Sequence, residues 1–179
     1  MRWGQGLAAS IAVAAQLLAP PVLADSAAEV MLAFGLLGTW SPDCNGPFRT
    51  SYEIFPGRAP TVRVTMLGRE IATSEIQEAQ HSAASQIKWH SLINTFALPD
   101  RPRESWMPEP GEIWETVIEK TGDKIRPIRS QRKDGQKISV KDGFIYTGER
   151  GKDLGSIRWR NTGDATVPLG RCPAGSGGA

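Results

Sequence analysis

The sequence predicts a mainly β protein, in which an antiparallel strand meander closes into a barrel of eight or nine strands, preceded by a short N-terminal helix. Short segments rich in β-branched and aromatic residues follow one another between residues 49 and 161, as in all-β domains. Turn pairs such as Asp134-Gly135 and Asp142-Gly143 separate several of them and supply the positive φ that hairpin turns require. Closure into a barrel removes the edges that a sheet of this size would otherwise expose.

Alternation along one segment indicates how the strands face. Ile87, Trp89 and Ser91 fall on one side of an extended chain, whereas Lys88 and His90 fall on the other. A strand that is buried on one face only is typical of an antiparallel sheet with a single core. This pattern favours a barrel over a sheet covered on both faces.

Residues 1–24 have the pattern of a secretory signal peptide. Arg2 supplies the positive start, residues 7–18 supply the apolar stretch, and small residues allow cleavage after Ala24, so that the mature chain begins at Asp25. No later window approaches the roughly 18 apolar residues that a membrane span needs. We therefore expect a periplasmic or secreted protein with no integral membrane segment in its mature chain.

The expected domain organisation is simple. Residues 25–172 form one barrel domain, and residues 173–179 form a flexible, Gly-rich tail. Removal of the signal peptide, which contains one basic residue and no acid, lowers the formal net charge from +2 to +1. Such a balance lacks the basic surface of a nucleic-acid binder. We also expect the protein to be a monomer.

The short helix begins with a capping box, because Ser26 and, three residues later, Glu29 can satisfy the free amides of a helix start. Apolar residues then recur at helical spacing: Val30, Met31, Phe34 and Leu37. We expect two to three turns that cover an apolar surface.

Nine later segments favour strands by composition and by the turns that flank them. They are residues 49–55, 61–67, 69–80, 85–93, 112–120, 124–132, 136–140, 143–147 and 156–161.

The connection over residues 98–111 interrupts the meander. It holds four prolines, with Trp106 and Met107 as apolar residues in a charged stretch. Connections of this length in compact domains are commonly functional or disordered. We expect it to lie at one end of the barrel and to carry a recognition surface, or else to fold Trp106 back as a plug of the barrel mouth.

The two cysteines, Cys44 and Cys172, lie near opposite ends of the mature chain. An exported protein meets an oxidising compartment, so we expect them to form a structural disulfide. A metal site would need further thiol or imidazole ligands nearby, and none is expected.

The order of helix, Gly38-Thr39-Trp40 before the first strand, meander and late arginine resembles the lipocalin and wider calycin barrels. The resemblance implies that Trp40 closes the barrel floor and that Arg158 or Arg160 covers its ring, a stacking that guanidinium and indole favour. Otherwise Trp40 is a core aromatic of another β fold. A cysteine soon after Gly-Thr-Trp and another near the end are also similar to small exported bacterial proteins of no known activity.

Catalytic chemistry has little support in the sequence. His81 and His90 each precede a serine, but neighbouring residues in a strand point to opposite faces, so neither pair forms a nucleophile and base. Five glutamates offer carboxylate pairs, although acidic residues on strands are usually solvated: Glu75, Glu78, Glu112, Glu115 and Glu119. We expect no enzyme activity and no cofactor.

Two binding functions remain. In the first, the barrel holds a small apolar or amphipathic ligand against some of Trp89, Trp106, Met107 and Trp114. In the second, a filled barrel acts through its surface on an envelope protein, for example as a lysozyme-inhibitor-like module. Small barrels can be packed or hollow, and Trp89 and Trp114 are otherwise ordinary core residues.

Overall fold

The structure is a computed structural model that describes residues 26–45, 50–98, 104, 107–150 and 157–173, without the side chains of Glu149 and Arg150. The predicted signal peptide, Trp106 and most of the predicted tail lie outside these residues.

The described residues form one helix and eleven strands. Their bounds are α1 (Ala27–Ala33), β1 (Gly38–Ser41), β2 (Thr50–Phe55), β3 (Thr61–Met66), β4 (Arg69–Ala83), β5 (Gln86–Phe96), β6 (Ile113–Thr121), β7 (Lys124–Arg132), β8 (Ile138–Lys141), β9 (Phe144–Arg150), β10 (Ile157–Ala165) and β11 (Leu169–Arg171).

The predicted capping box starts α1. The Ser26 backbone N–H donates to the Glu29 carboxylate at 2.7 Å, and the Glu29 N–H donates to the Ser26 hydroxyl at 3.3 Å. Val30 and Met31 point into the core, as their helical spacing predicts. The described part of the chain has no helix long and apolar enough to cross a membrane.

The predicted closed antiparallel barrel is confirmed, with eight strands in the ring. The hydrogen-bonded order is β7-β11-β1-β2-β3-β4-β5-β6, and β6 pairs again with β7 to close it. The hairpins between β3 and β4 and between β8 and β9 turn through positive φ at Leu67-Gly68 and Asp142-Gly143. Asp142-Gly143 is one of the turn pairs that the sequence predicts.

Strand β7 divides its outer edge between two partners. Its first residues pair with β11 through Ile125 and Leu169, whereas Arg129–Gln131 pair with β8. Strands β8, β9 and β10 therefore extend the sheet away from the ring. Three of the nine predicted strands belong to this extension, and the ring is completed by the short β1 and β11.

The predicted disulfide is confirmed and lies beside the strand that closes the ring. Cys44 and Cys172 are bonded, with 5.5 Å between their Cα atoms, and they join positions 128 residues apart. The Cys172 N–H donates to the Thr39 carbonyl at 2.8 Å. The bond thus fixes the three-residue β11 against β1.

One end of the barrel is packed solid. Five large side chains there are fully buried: Met31, Leu36, Trp40, Ile76 and Ile87. The indole N–H of Trp40 donates to the Leu36 carbonyl at 2.8 Å, which satisfies the one polar atom of the ring inside the core. Helix α1 and Trp40 therefore form the barrel floor.

Candidate ligand-binding cavity

A cavity of about 300 Å³ lies above this floor inside the barrel. Ile54, Val62, Ile118 and Leu169 bound its deep end. Toward the opposite end the wall is formed by Phe96, Pro108, Ser139 and Val140. The cavity therefore extends from the floor toward the connection between β5 and β6 and toward the start of the sheet extension.

Two of the tryptophans that the sequence predicts as ligand contacts form part of the cavity wall. Trp89 on β5 is 7% exposed and Trp114 on β6 is 3% exposed, and both line the cavity. Their placement follows from the alternation of these strands, because residues two apart point to the same face. On the same faces, Ser91 and Thr116 also line the cavity.

The described wall is uncharged. None of the described residues that line the cavity is an acid, a base or a histidine. Its polar side-chain atoms come from tyrosine, serine, threonine and the tryptophan rings. Burial raises the pKa of Tyr52 above its usual value, so this phenol stays neutral at physiological pH. The interior is suited to an apolar or neutral molecule.

A charged network supports Trp114 from outside the cavity. Its indole N–H donates to the Glu112 carboxylate at 3.0 Å. The ammonium of Lys137 lies 2.7 Å from the other Glu112 oxygen, and the guanidinium of Arg132 lies 3.1 Å from it. Burial acts to raise the pKa of Glu112, but hydrogen bonds from Lys137, the Glu109 backbone, Trp114 and Arg132 together lower it to about 2.

Lys137 joins this network to the connection between β5 and β6. Its side chain is only 7% exposed, and its ammonium donates to the Met107 carbonyl at 3.1 Å and to Glu109 at 3.2 Å. Met107 is itself buried and is not among the described residues that line the cavity. It anchors the connection, while Pro108 contributes to the wall. Trp106, the other residue expected here, lies outside the described residues.

The arginine beside Trp40 is Arg171, which corrects the expectation for Arg158 or Arg160. Its guanidinium lies 5.8 Å from the centre of the Trp40 ring and donates to the Leu37 carbonyl at 2.8 Å. Arg158 and Arg160 lie on β10, in the sheet extension and outside the ring. The last strand of the barrel is β11, so the position next to Trp40 falls to Arg171.

Gly38 fits the position that the resemblance gives it. Its φ is +125°, which a residue with a side chain rarely adopts. A Cβ atom there would lie 3.6 Å from the guanidinium of Arg171, which is an ordinary van der Waals contact, so the positive φ is what favours glycine. The glycine thus lets the chain turn into β1 directly beneath the arginine.

Both histidines lie away from the cavity. His90 is on the outer face of β5, with its Nδ1 3.0 Å from Glu78 and its Nε2 3.6 Å from Glu115. His81 packs its ring against Phe34 near the floor, with 5.5 Å between ring centres. Among the described residues, no group of three or more His, Cys, Asp or Glu side chains is placed to hold a metal ion.

Comparison with known protein families, with curated proteins and with solved structures finds no match to this chain.

Proposed function

We propose that the protein is an exported, non-enzymatic carrier that binds a small apolar or amphipathic molecule inside its barrel. The observation that carries this proposal is the cavity of about 300 Å³ with an uncharged wall. Its volume is at the lower end of the range of about 300–1,000 Å³ found for small-molecule sites. The ligand is accordingly a compact molecule.

The wall provides the binding energy that such a ligand needs. Trp89, Trp114 and Phe96 present aromatic surface to the cavity, and aromatic side chains contribute strongly to binding through the area that they bury. Transfer of apolar ligand surface from water contributes about 25 cal/mol per Å². The packed floor that α1 and Trp40 form prevents the ligand from passing through the barrel.

Export is part of the proposal. It is supported by the signal-peptide pattern of residues 1–24 and by the Cys44–Cys172 disulfide, since disulfides persist in oxidising compartments. The likeness to calycin barrels also supports a carrier, because Gly38, Trp40 and an arginine lie together at the floor.

The alternative, a filled barrel that acts through its surface on an envelope protein, is less well supported. A filled barrel would carry large side chains at mid-height, where this one has Ala72, Ser74 and Ser91 on its wall.

The experiment is a calorimetric titration of the oxidised mature protein with naphthalene, whose two fused rings are small enough for the cavity. Thr116 lines the cavity, so Thr116→Phe is expected to occupy the site and to weaken binding at least tenfold. Thr95 lies exposed on the outer face of β5, with its hydroxyl hydrogen-bonded to that of Thr73. Thr95→Phe is therefore the matched control and should bind naphthalene as the wild type does. Absence of naphthalene binding to the wild type, or equal binding by both variants, would overturn the proposal.

A further inference from the structure

Four hydroxyl side chains lie on consecutive strands at mid-height of the cavity. They are Ser74 on β4, Ser91 on β5, Thr116 on β6 and Ser130 on β7, and all line the cavity. We name this set the hydroxyl belt.

The register of the strands makes the belt continuous. Thr116 pairs directly with Ser130, which puts their Cβ atoms about 4.5–5.5 Å apart. Ser91 pairs with Trp114, two residues from Thr116, and Ser74 pairs with Ile93, two residues from Ser91. Both of these serines are therefore diagonal neighbours of the next member on the same face, at about 7–8 Å.

The belt is not used to hold the fold together. Among the described residues, no hydrogen bond involves any of its four side-chain hydroxyls. No fully buried side-chain oxygen or nitrogen of these residues lacks a partner, so the four hydroxyls retain accessible surface. Ser91 is the clearest case, because the residue is only 4% exposed and its hydroxyl faces the cavity. The other three residues are half-buried. Hydroxyls that line a cavity without a protein partner are groups that a ligand can satisfy.

We propose that the natural ligand carries a neutral oxygen group, such as a hydroxyl or a carbonyl, that hydrogen-bonds to the hydroxyl belt while its apolar body contacts Trp89 and Trp114. This inference rests on the proposed function, since it names the chemistry of the molecule held in the same cavity. The proposal excludes a ligand that places a charged group beside the hydroxyl belt.

The chemistry of the belt defines this class. A serine or threonine hydroxyl both donates and accepts, so it can bond either a hydroxyl or a carbonyl. A carboxylate or an ammonium buried at this height would meet no opposite charge in the described wall, and an unpaired buried charge is strongly unfavourable. Four hydroxyls on adjacent strands also allow the group to bond in more than one orientation.

The test compares naphthalene with 2-naphthol, two probes that share one ring skeleton and differ by a neutral hydroxyl. Calorimetry would measure the dissociation constant of each for the wild type and for Thr116→Val, which removes a hydroxyl at nearly constant volume. The double variant Ser91→Ala/Thr116→Val removes two. We expect the double variant to bind 2-naphthol about tenfold more weakly and naphthalene within twofold of the wild type.

The matched control is Thr95→Val, which removes a hydroxyl from the outer face of β5 and should change neither dissociation constant. If the double variant does not fold, the same comparison with Thr116→Val alone decides, with an expected three- to fivefold loss for 2-naphthol only. If the variant changes both dissociation constants equally, or leaves that of 2-naphthol unchanged, the role of the belt is overturned. Binding of naphthalene to the wild type would still support the carrier function. Failure of naphthalene to bind the wild type would overturn both proposals, because the role of the belt rests on a ligand held in this cavity.

Discussion

Replacement of Glu112 by glutamine tests whether the charged network behind Trp114 stabilises the fold. The Glu112 side chain is 12% exposed and lies between Lys137 and Arg132. Its pKa falls from an ordinary value of 4.5 to about 2 in the folded protein. At 1.36 kcal/mol per pH unit, that difference contributes on the order of 3 kcal/mol to the free energy of unfolding at neutral pH.

The sign of the pH dependence follows from the direction of this shift. Because the folded protein favours the ionised carboxylate, the contribution is fully present above about pH 4.5 and is lost as the pH falls from 4.5 to 2. Glu112→Gln should therefore lower the free energy of unfolding by about 3 kcal/mol at pH 7 and by less than about 1 kcal/mol at pH 2. Lys137 loses its nearest carboxylate in this variant and keeps Glu109.

Urea unfolding followed by circular dichroism between pH 7 and pH 2 measures the difference. Glu75→Gln is the control, because Glu75 is exposed on β4 and its carboxylate has no partner among the described residues. Its effect should stay within about 0.5 kcal/mol at every pH. Parallel pH curves for the wild type and Glu112→Gln would refute the assigned role of Glu112.

Three further predictions concern the floor of the barrel and β11, the short strand that the disulfide fixes beside it. A double serine variant of Cys44 and Cys172 should lower the free energy of unfolding by about 5 kcal/mol in the chain-entropy model, since the bond spans 128 residues. A chemical denaturation midpoint like that of the oxidised wild type would contradict this. Trp40→Ala should cost roughly 3–5 kcal/mol in the same assay, because the ring is fully buried, and an unchanged midpoint would show that it is peripheral. Arg171→Ala should lower the free energy of unfolding by about 1–2 kcal/mol, because it removes the contacts with the Trp40 ring and the Leu37 carbonyl. Arg158→Ala on β10 should change it by less than about 0.5 kcal/mol. A larger loss for Arg158→Ala than for Arg171→Ala would show that Arg158 is the arginine that supports the floor.

Local features of the sequence predicted much of the fold. The capping box at Ser26, the hairpin turns and the alternation along β5 all depend on neighbouring residues, so they can be read without tertiary information. The disulfide followed from the presence of only two cysteines in a chain with a signal-peptide pattern. The structure agrees at Ser26, at Asp142-Gly143, along β5 and at the cysteine pair. At the predicted Asp134-Gly135 turn only Gly135 has a positive φ, and five residues separate β7 from β8, so the prediction of a two-residue turn there was wrong.

The closure of the ring could not be predicted in the same way. Strand β11 has three residues and pairs with β1 and the start of β7, so nothing in its local pattern separates it from a loop. Strands β8 to β10 carry the same composition and turn signals as ring strands, yet they extend the sheet outward. For this reason the sequence places the late arginine on β10, whereas the structure has Arg171 beside Trp40.

The charged network at Glu112 could not be predicted from the sequence either. In the sequence Glu112 is one of five glutamates that favour only solvated carboxylates, and Lys137 lies in a polar hairpin where lysines are normally exposed. Lys137 is buried because the connection from β5 packs its Met107 carbonyl and Glu109 over it. That contact joins residues 30 apart and has no local signature.

The hollow interior and its polar belt have a common cause in the size of four side chains. Alternation shows that Ser91 faces inward beside Trp89, but it does not show whether the interior is filled, since that depends on which residues meet across the barrel. The register brings Ser74, Ser91, Thr116 and Ser130 to one height, so small residues coincide there and leave space. Small apolar residues would have left the same space without hydroxyls, and large residues would have filled it. A wall that combines volume with unpartnered hydroxyls therefore points to a ligand with an apolar body and a neutral polar group, which is the molecule that the naphthalene and 2-naphthol comparison is designed to represent.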